Sequence, residues 1–170
     1  MPSLLPAVDP DGLLEYSVVY TDRALNHMSQ SFQGVMRDIS RILKQVYHAH
    51  SALVVPGSGT FGMEAVARQF ATGRKCLVIR NGWFSFRWSQ IFEMGHIPSE
   101  AVVLKARQVG EGARAPFAPP PIDEVVATIH REKPAVVFAP HVETASGMIL
   151  PPAYLKAVGE AVRAVDGLFV

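Results

Sequence analysis

Cysteine is almost absent from this sequence: Cys76 is the single one among 170 residues. One thiol builds neither a disulfide scaffold nor a cysteine-based zinc site, and it fits a reducing, cytoplasmic setting. Charge of either sign is also sparse. Lys and Arg number 16 against 15 Asp and Glu, for a net charge of +1, and no basic run occurs. That balance argues against a dedicated nucleic-acid binder, which carries a basic stripe or patch. No apolar run approaches the roughly 18 residues of a membrane span. The opening stretch, residues 1–12, lacks the basic start and long apolar segment of a signal peptide. Core is what the chain has in quantity, with 49% hydrophobic residues against 18% charged. Such a composition excludes a disordered chain, and the length suits one domain.

Residues 1–30 read as an irregular arm, broken early by Pro2, Pro6, Pro10 and Gly12. The pattern then changes. Phe32, Val35, Met36, Ile39, Ile42, Leu43, Val46 and Tyr47 recur at steps of three and four, the stripe of an amphipathic helix that Ser29 or Ser31 can cap. Ala52–Val55, ending at Pro56-Gly57, predicts a short buried strand. Further apolar runs predict strands at 76–79, 101–104, 135–138 and 167–170, and helices are expected over 60–71, 84–94, 122–129 and 152–164. Residues 105–121 are expected to form a loop. Strand–helix alternation with all-apolar strands predicts an α/β fold, a mostly parallel sheet with helices on both faces. The sequence stops inside the apolar run Gly167–Val170, so it is expected to be a fragment of a larger domain.

In open parallel sheets ligands bind beyond the carboxyl ends of the strands, which points to the loops. The first, Pro56-Gly57-Ser58-Gly59-Thr60, runs straight into a helix. Its glycines let a ligand approach the backbone, the helix start favours an anion, and Ser58 and Thr60 add hydroxyls, so a phosphate fits. Gly57, Gly59 and Gly62 also spell G-x-G-x-x-G, which raises a dinucleotide-binding alternative. The acid that should hold a ribose hydroxyl about 20 residues on is missing, however, because the second strand ends Ile79-Arg80-Asn81-Gly82. Arg80 could meet a 2′-phosphate, which leaves NADP and a Rossmann-type oxidoreductase as the alternative. The second loop packs Trp83, Phe84, Phe86 and Trp88 with Arg87 into residues 81–88, and one of these rings could stack on a flat heteroaromatic ligand. The last, Pro140–Gly147, gathers His141, Glu143, Thr144 and Ser146. His141 and Glu143 lack the spacing of a zincin and a third metal ligand, and each reads as a loop-fixing hydrogen bonder. The hydroxyls of Thr144 and Ser146 are better placed as donors to a cofactor.

Three stretches in this order, Gly57-Ser58-Gly59-Thr60 with Met63-Glu64-Ala65, Asn81-Gly82-Trp83-Phe84-Ser85-Phe86-Arg87-Trp88 and His141-Val142-Glu143-Thr144-Ala145-Ser146-Gly147, resemble the class V pyridoxal-phosphate (PLP) aminotransferases, the alanine/serine–glyoxylate group. Asn26-His27-Met28 resembles the family's approach to its long helix, and the likeness runs from about residue 22 to 170. The family's usual proline-glycine-proline opening is absent. The resemblance implies the large domain of a fold-type I PLP transferase over residues 31–170, cut short, behind the arm of residues 1–30. It implies pyridoxal 5′-phosphate as cofactor, with Ser58, Gly59 and Thr60 holding its phosphate. Phe84 would stack on the pyridine ring, in preference to Trp83, and Thr144 would contact the cofactor near its phenolic oxygen. The family's aspartate at the pyridine nitrogen, its cofactor-linking lysine and its substrate-carboxylate arginine would all fall beyond Val170; Asp166 precedes the last strand and does not match the aspartate. The implied reaction moves an amino group from alanine or serine to a 2-oxo acid such as glyoxylate or pyruvate, in a cytoplasmic homodimer, with no nucleic-acid or membrane partner. A non-catalytic remnant of the PLP fold, kept for protein association, is the further alternative.

Overall fold

Valine, isoleucine and leucine dominate four of the apolar runs, and these pair into one sheet. The computed structural model describes residues 30–170, so the arm, Asn26–Met28 and the proposed cap Ser29 lie outside the described residues. The chain divides into two compact units, Met1–Pro56 and Gly57–Val170. In the first, helix α1 (Gln30–Tyr47) forms where the apolar stripe predicts it, with Ser31 already inside the helix, yet none of its residues is buried. The run Ala52–Val55 forms no strand, and Leu53 is 88% exposed. An apolar run becomes a strand only where a neighbour completes its backbone ladder, and none of the described strands pairs with it.

The second unit carries the sheet. Its elements run α2 (Gly59–Phe70), β1 (Lys75–Arg80), α3 (Trp83–Gly95), β2 (Glu100–Lys105), β3 (Arg107–Gln108), β4 (Phe117–Ala118), α4 (Ile122–Glu132), β5 (Val136–Phe138), β6 (Val142–Glu143), β7 (Met148–Ile149), α5 (Pro152–Ala164) and β8 (Leu168–Phe169). The main sheet has the order β2-β1-β5-β8 with every pair parallel. Alternation along β1 and β5 divides the core. Cys76, Val78, Val136 and Phe138 face Trp88, Ile91 and Phe92 of α3 together with Ala67 of α2. Leu77, Ile79 and Val137 face Val125 and Ile129 of α4 and Val158 and Val162 of α5. The expected mostly parallel sheet with helices on both faces is therefore present. Two small antiparallel ribbons arise where loops are expected: β3–β4 within residues 105–121, and β6 within Pro140–Gly147 with β7 directly after it.

The crossovers position the site. From β1 the chain passes through α3 to β2 on one side; from β5 it passes through α5 to β8 on the other. The strand order therefore reverses between β1 and β5, and the crevice beyond their carboxyl ends is where doubly wound sheets bind ligands. Helices α2 and α3 lie side by side and run in the same direction, since their carboxyl ends meet: a Cβ on Gly95 would stand 3.4 Å from the Arg68 guanidinium, and the Gly73 N–H donates to Ile97 O at 2.8 Å. The starts of both helices thus lie at the carboxyl edge of the sheet. No helix among the described residues is long and apolar enough to cross a membrane.

Candidate functional site

Three loops meet this carboxyl edge, and each begins or supports a helix. At the first, Ser58 is the N-cap of α2, and its hydroxyl oxygen accepts from the Phe61 N–H at 3.4 Å. The Ser58 proton stays free to donate. Gly59 and Thr60 fill the first two helical positions, whose N–H groups have no partner within a helix. Gly57 has φ +137°, a conformation that favours glycine, and a side chain there would press on the Phe61 ring at 3.1 Å. Ser58, Gly59 and Thr60 are all exposed. Neutral hydroxyls and free amides at a helix start form a donor set suited to a phosphate.

At the second loop Phe84 is 53% exposed and Trp83 54%, so exposure does not separate them. Their partners do. Trp83 packs on Phe86 at 5.7 Å between centroids and carries the Arg87 guanidinium over its ring at 5.7 Å, whereas Phe84 has no ring partner among the described residues. Trp88 belongs to the core, 4.4 Å from Phe138. Arg80, the residue on which an NADP reading depends, donates to Ser89 Oγ at 3.2 Å and lies over the Phe86 ring at 5.0 Å. The glycine loop also follows no strand of the sheet, which the dinucleotide fingerprint requires.

The third loop is the β6–β7 turn, with Thr144 exposed at its start. Its neighbour Glu143 is only 1% exposed and reaches across to the start of α3. Glu143 Oε1 accepts from the Phe84 N–H at 3.0 Å; Oε2 accepts from the Ser85 N–H at 2.9 Å and from the Ser85 hydroxyl at 2.6 Å. Ser85 Oγ in turn accepts from the N–H groups of Asn81 (2.8 Å) and Gly82 (3.0 Å). Gly82, the N-cap, has no side chain to cap its own helix, and Glu143 does so from 58 residues beyond Ser85. Burial pushes the Glu143 carboxyl up, but the Ser85 hydroxyl and the amides of Ser85, Phe84 and Ala145 outweigh it and hold the group below its usual range. With its oxygens committed to these donors, Glu143 is no general base, and His141 stands apart in solvent.

Sequence reasoning identified Glu143 as a loop-fixing hydrogen bonder but missed the segment it reaches; the glutamate–serine partnership spans distant segments and leaves no local spacing to read. It also passed over Asn81, which is buried at the end of β1 with both side-chain polar atoms unpartnered. The structure joins Phe84 and the Thr144 loop through Glu143, and sets α2 beside α3 so that Ser58–Thr60 lie along the same edge of the sheet.

Along the carboxyl edge of a mostly parallel α/β sheet lie a helix start with exposed hydroxyls, an exposed aromatic ring and a hydroxyl-bearing turn, which makes the second unit a doubly wound domain with a candidate ligand site. Comparison with known proteins agrees with that class. No protein-family model matches the chain. Among curated proteins it is similar to the (S)-ureidoglycine–glyoxylate transaminase of Bacillus subtilis (strain 168), 26% identical over 155 residues that make up 89% of this chain and 34% of the transaminase. It is also similar to the L-aspartate–glyoxylate aminotransferase of Paracoccus denitrificans (strain Pd 1222), 28% identical over 149 residues, 86% of this chain and 36% of that protein. The fold superposes on the crystal structure of the Bacillus subtilis ureidoglycine–glyoxylate aminotransferase with TM-score 0.69 at 24% identity, covering 85% of this chain and 35% of that one. The resemblance to class V aminotransferases drawn from the three motifs is thus matched by relatives of that class. The chain spans about a third of the length of the curated relatives it matches.

Proposed function

We propose that this chain forms the cofactor-holding part of a cytoplasmic, PLP-dependent glyoxylate aminotransferase of class V. The observation that carries the reading is the Phe84 ring, half exposed and without a ring partner among the described residues, at the start of α3 and tied through Glu143 to the Thr144 turn. PLP, when bound, supplies an electron sink that lets an amino acid give up its amino group. In this reading Ser58, Gly59 and Thr60 hold the phosphate at the start of α2, Phe84 covers one face of the pyridine ring, and the Thr144 hydroxyl donates near the phenolic oxygen. The two curated relatives differ in the amino donor that their names carry and share glyoxylate. Glyoxylate is therefore the acceptor we assign, with pyruvate second, and alanine or serine the donor. The working unit is taken to be a homodimer, which sedimentation of the purified protein tests.

Titration of the purified chain with PLP, and separately with pyridoxal, tests the cofactor assignment. Saturable PLP binding is expected, with pyridoxal at least tenfold weaker because it lacks the phosphate. Ser58→Ala and Thr60→Ala should weaken PLP but not pyridoxal. Loss of one stacked ring is worth about 0.5–1.5 kcal/mol, so Phe84→Ala should weaken both ligands by a few-fold. Equal binding of the two ligands, or none, overturns the assignment. In a protein carrying the rest of the relatives' length, glycine formation from glyoxylate with alanine or serine tests the reaction.

A further inference from the structure

We infer that Glu143 is a positioning residue: its one carboxylate ties the ring-bearing first turn of α3 to the Thr144 turn, so that Phe84 and Thr144 present themselves to the cofactor as a single rigid unit. The inference rests on the cofactor reading above, and goes beyond it by naming what sets the geometry between ring and hydroxyl.

In the chain Phe84 and Thr144 are separated by β2, β3, β4, α4 and β5. The β6–β7 ribbon is two residues long on each strand. Its turn is closed by weak contacts, Ser146 N–H to Glu143 O at 3.3 Å and Gly147 N–H to Thr144 O at 3.3 Å. Such a ribbon is not stable by itself. Glu143 supplies the missing anchor. It holds the backbone of Phe84 directly, through the 3.0 Å bond to the residue's own N–H, and it is the residue adjoining Thr144. The contact is shaped for a side chain of this length, since a Cβ on Gly82 would stand 2.7 Å from Glu143 Cγ. Ser85 completes it, accepting two backbone donors and giving its one proton to Glu143 Oε2 at 2.6 Å, its shorter contact. An internal carboxylate therefore fills the anion site at the start of α3. The start of α2, with only Ser58 capping it, remains the place for an external phosphate.

The division of labour makes the inference testable. If Glu143 sets the ring and the hydroxyl but not the phosphate cradle, Glu143→Gln should weaken PLP about tenfold or more while inorganic phosphate competes for the site as in the wild type. Glutamine keeps the volume and one acceptor, but turns an –NH₂ toward donors. Val158→Ala, in the core on the opposite face of the sheet, serves as a destabilised control and should leave PLP affinity within twofold. Amide hydrogen exchange gives a readout independent of any ligand. In Glu143→Gln the amides of Phe84, Ser85 and Ala145 should lose protection together, by tenfold or more, while those of β1 do not. Unchanged PLP affinity in Glu143→Gln, an equal loss in Val158→Ala, or loss of protection at Phe84 without Ala145 would each overturn the inference. Should the wild-type chain bind no PLP, the cofactor reading fails, and exchange at these three amides still decides whether Glu143 couples the two loops.

Discussion

At Gly82 the backbone is extended, a conformation open to any residue, so the need for glycine comes from what stands opposite. With Glu143 Cγ at 2.7 Å from an added Cβ and the carboxyl carbon at 2.8 Å, Gly82→Ala must displace a carboxylate that is already fully bonded. Overpacking of this kind costs about 1–3 kcal/mol. Glu143→Ala leaves buried amides without an acceptor, at a comparable cost for each. The double variant should lose clearly less than the sum, because the second change removes what the first one hits; urea melts of the four proteins measure that coupling. The same carboxylate gives stability a pH dependence. Its folded pKa lies below the unfolded value of about 4.3, so its contribution is complete above that pH and is lost as pH falls through the lower folded value. Acid titration of stability should therefore be shallower in Glu143→Gln than in the wild type between pH 4.3 and the acid limit. Thr144 was legible as a candidate from residue type and place in the chain, whereas Phe84 was singled out among the rings of its loop only by the family resemblance. Glu143 was legible as a hydrogen bonder that fixes its loop but its partner was not, because the turn that carries a carboxylate does not show which distant segment it caps.

Helix ends show a different mismatch between sequence and structure. Glycine is the expected C-cap, yet α3 and α4 close on left-handed His96 (φ 47°) and Lys133 (φ 45°). Gly95 is instead the last helical residue of α3, where a side chain would strike Ile97 at 2.8 Å. Lys133 is exposed and its side chain takes no part in the cap, so Lys133→Gly should remove a left-handed penalty of about 1–2 kcal/mol and add back about 0.5–1 kcal/mol of chain entropy. A net gain of about 0.5–1 kcal/mol, or a few degrees in Tm, is expected by calorimetry. The five helices and the strands of the sheet were legible because burial on both faces writes itself as unbroken apolar runs or as a 3.6-residue stripe. Ala52–Val55 has the same composition and forms no strand, since composition does not report whether a ladder partner exists. The β3–β4 and β6–β7 ribbons were illegible for the converse reason: at two residues per strand, mixing polar and apolar side chains, they are too short to show a period.

Across the whole second unit the sheet keeps two cores apart, and β5, like β1, contributes to both. Val136, Val137 and Phe138 are each wholly buried, with Phe138 wedged between Trp88 at 4.4 Å and Phe92 at 5.2 Å. The loop carrying Glu143 and Thr144 leaves from the end of this strand, so the packing of Phe138 underlies the site as well as the fold. Phe138→Ala should cost about 3–5 kcal/mol, a large part of the 5–15 kcal/mol typical of a domain. Cys76 reports the outcome without an added probe. It faces the same core, is fully buried, and burial pushes its thiol up to about 11, so at neutral pH it is neither accessible nor ionised. In the wild type a thiol reagent should label Cys76 only through opening of the sheet, at a rate that rises with denaturant. In Phe138→Ala, labelling in the absence of denaturant should accelerate by at least a hundredfold, since about 1.4 kcal/mol is a factor of ten in the open population. Glu143→Gln, which loosens one edge and leaves this core intact, should label much more slowly than Phe138→Ala. Equal rates in the two variants would mean that the switch-point loops and the core unfold as one cooperative body.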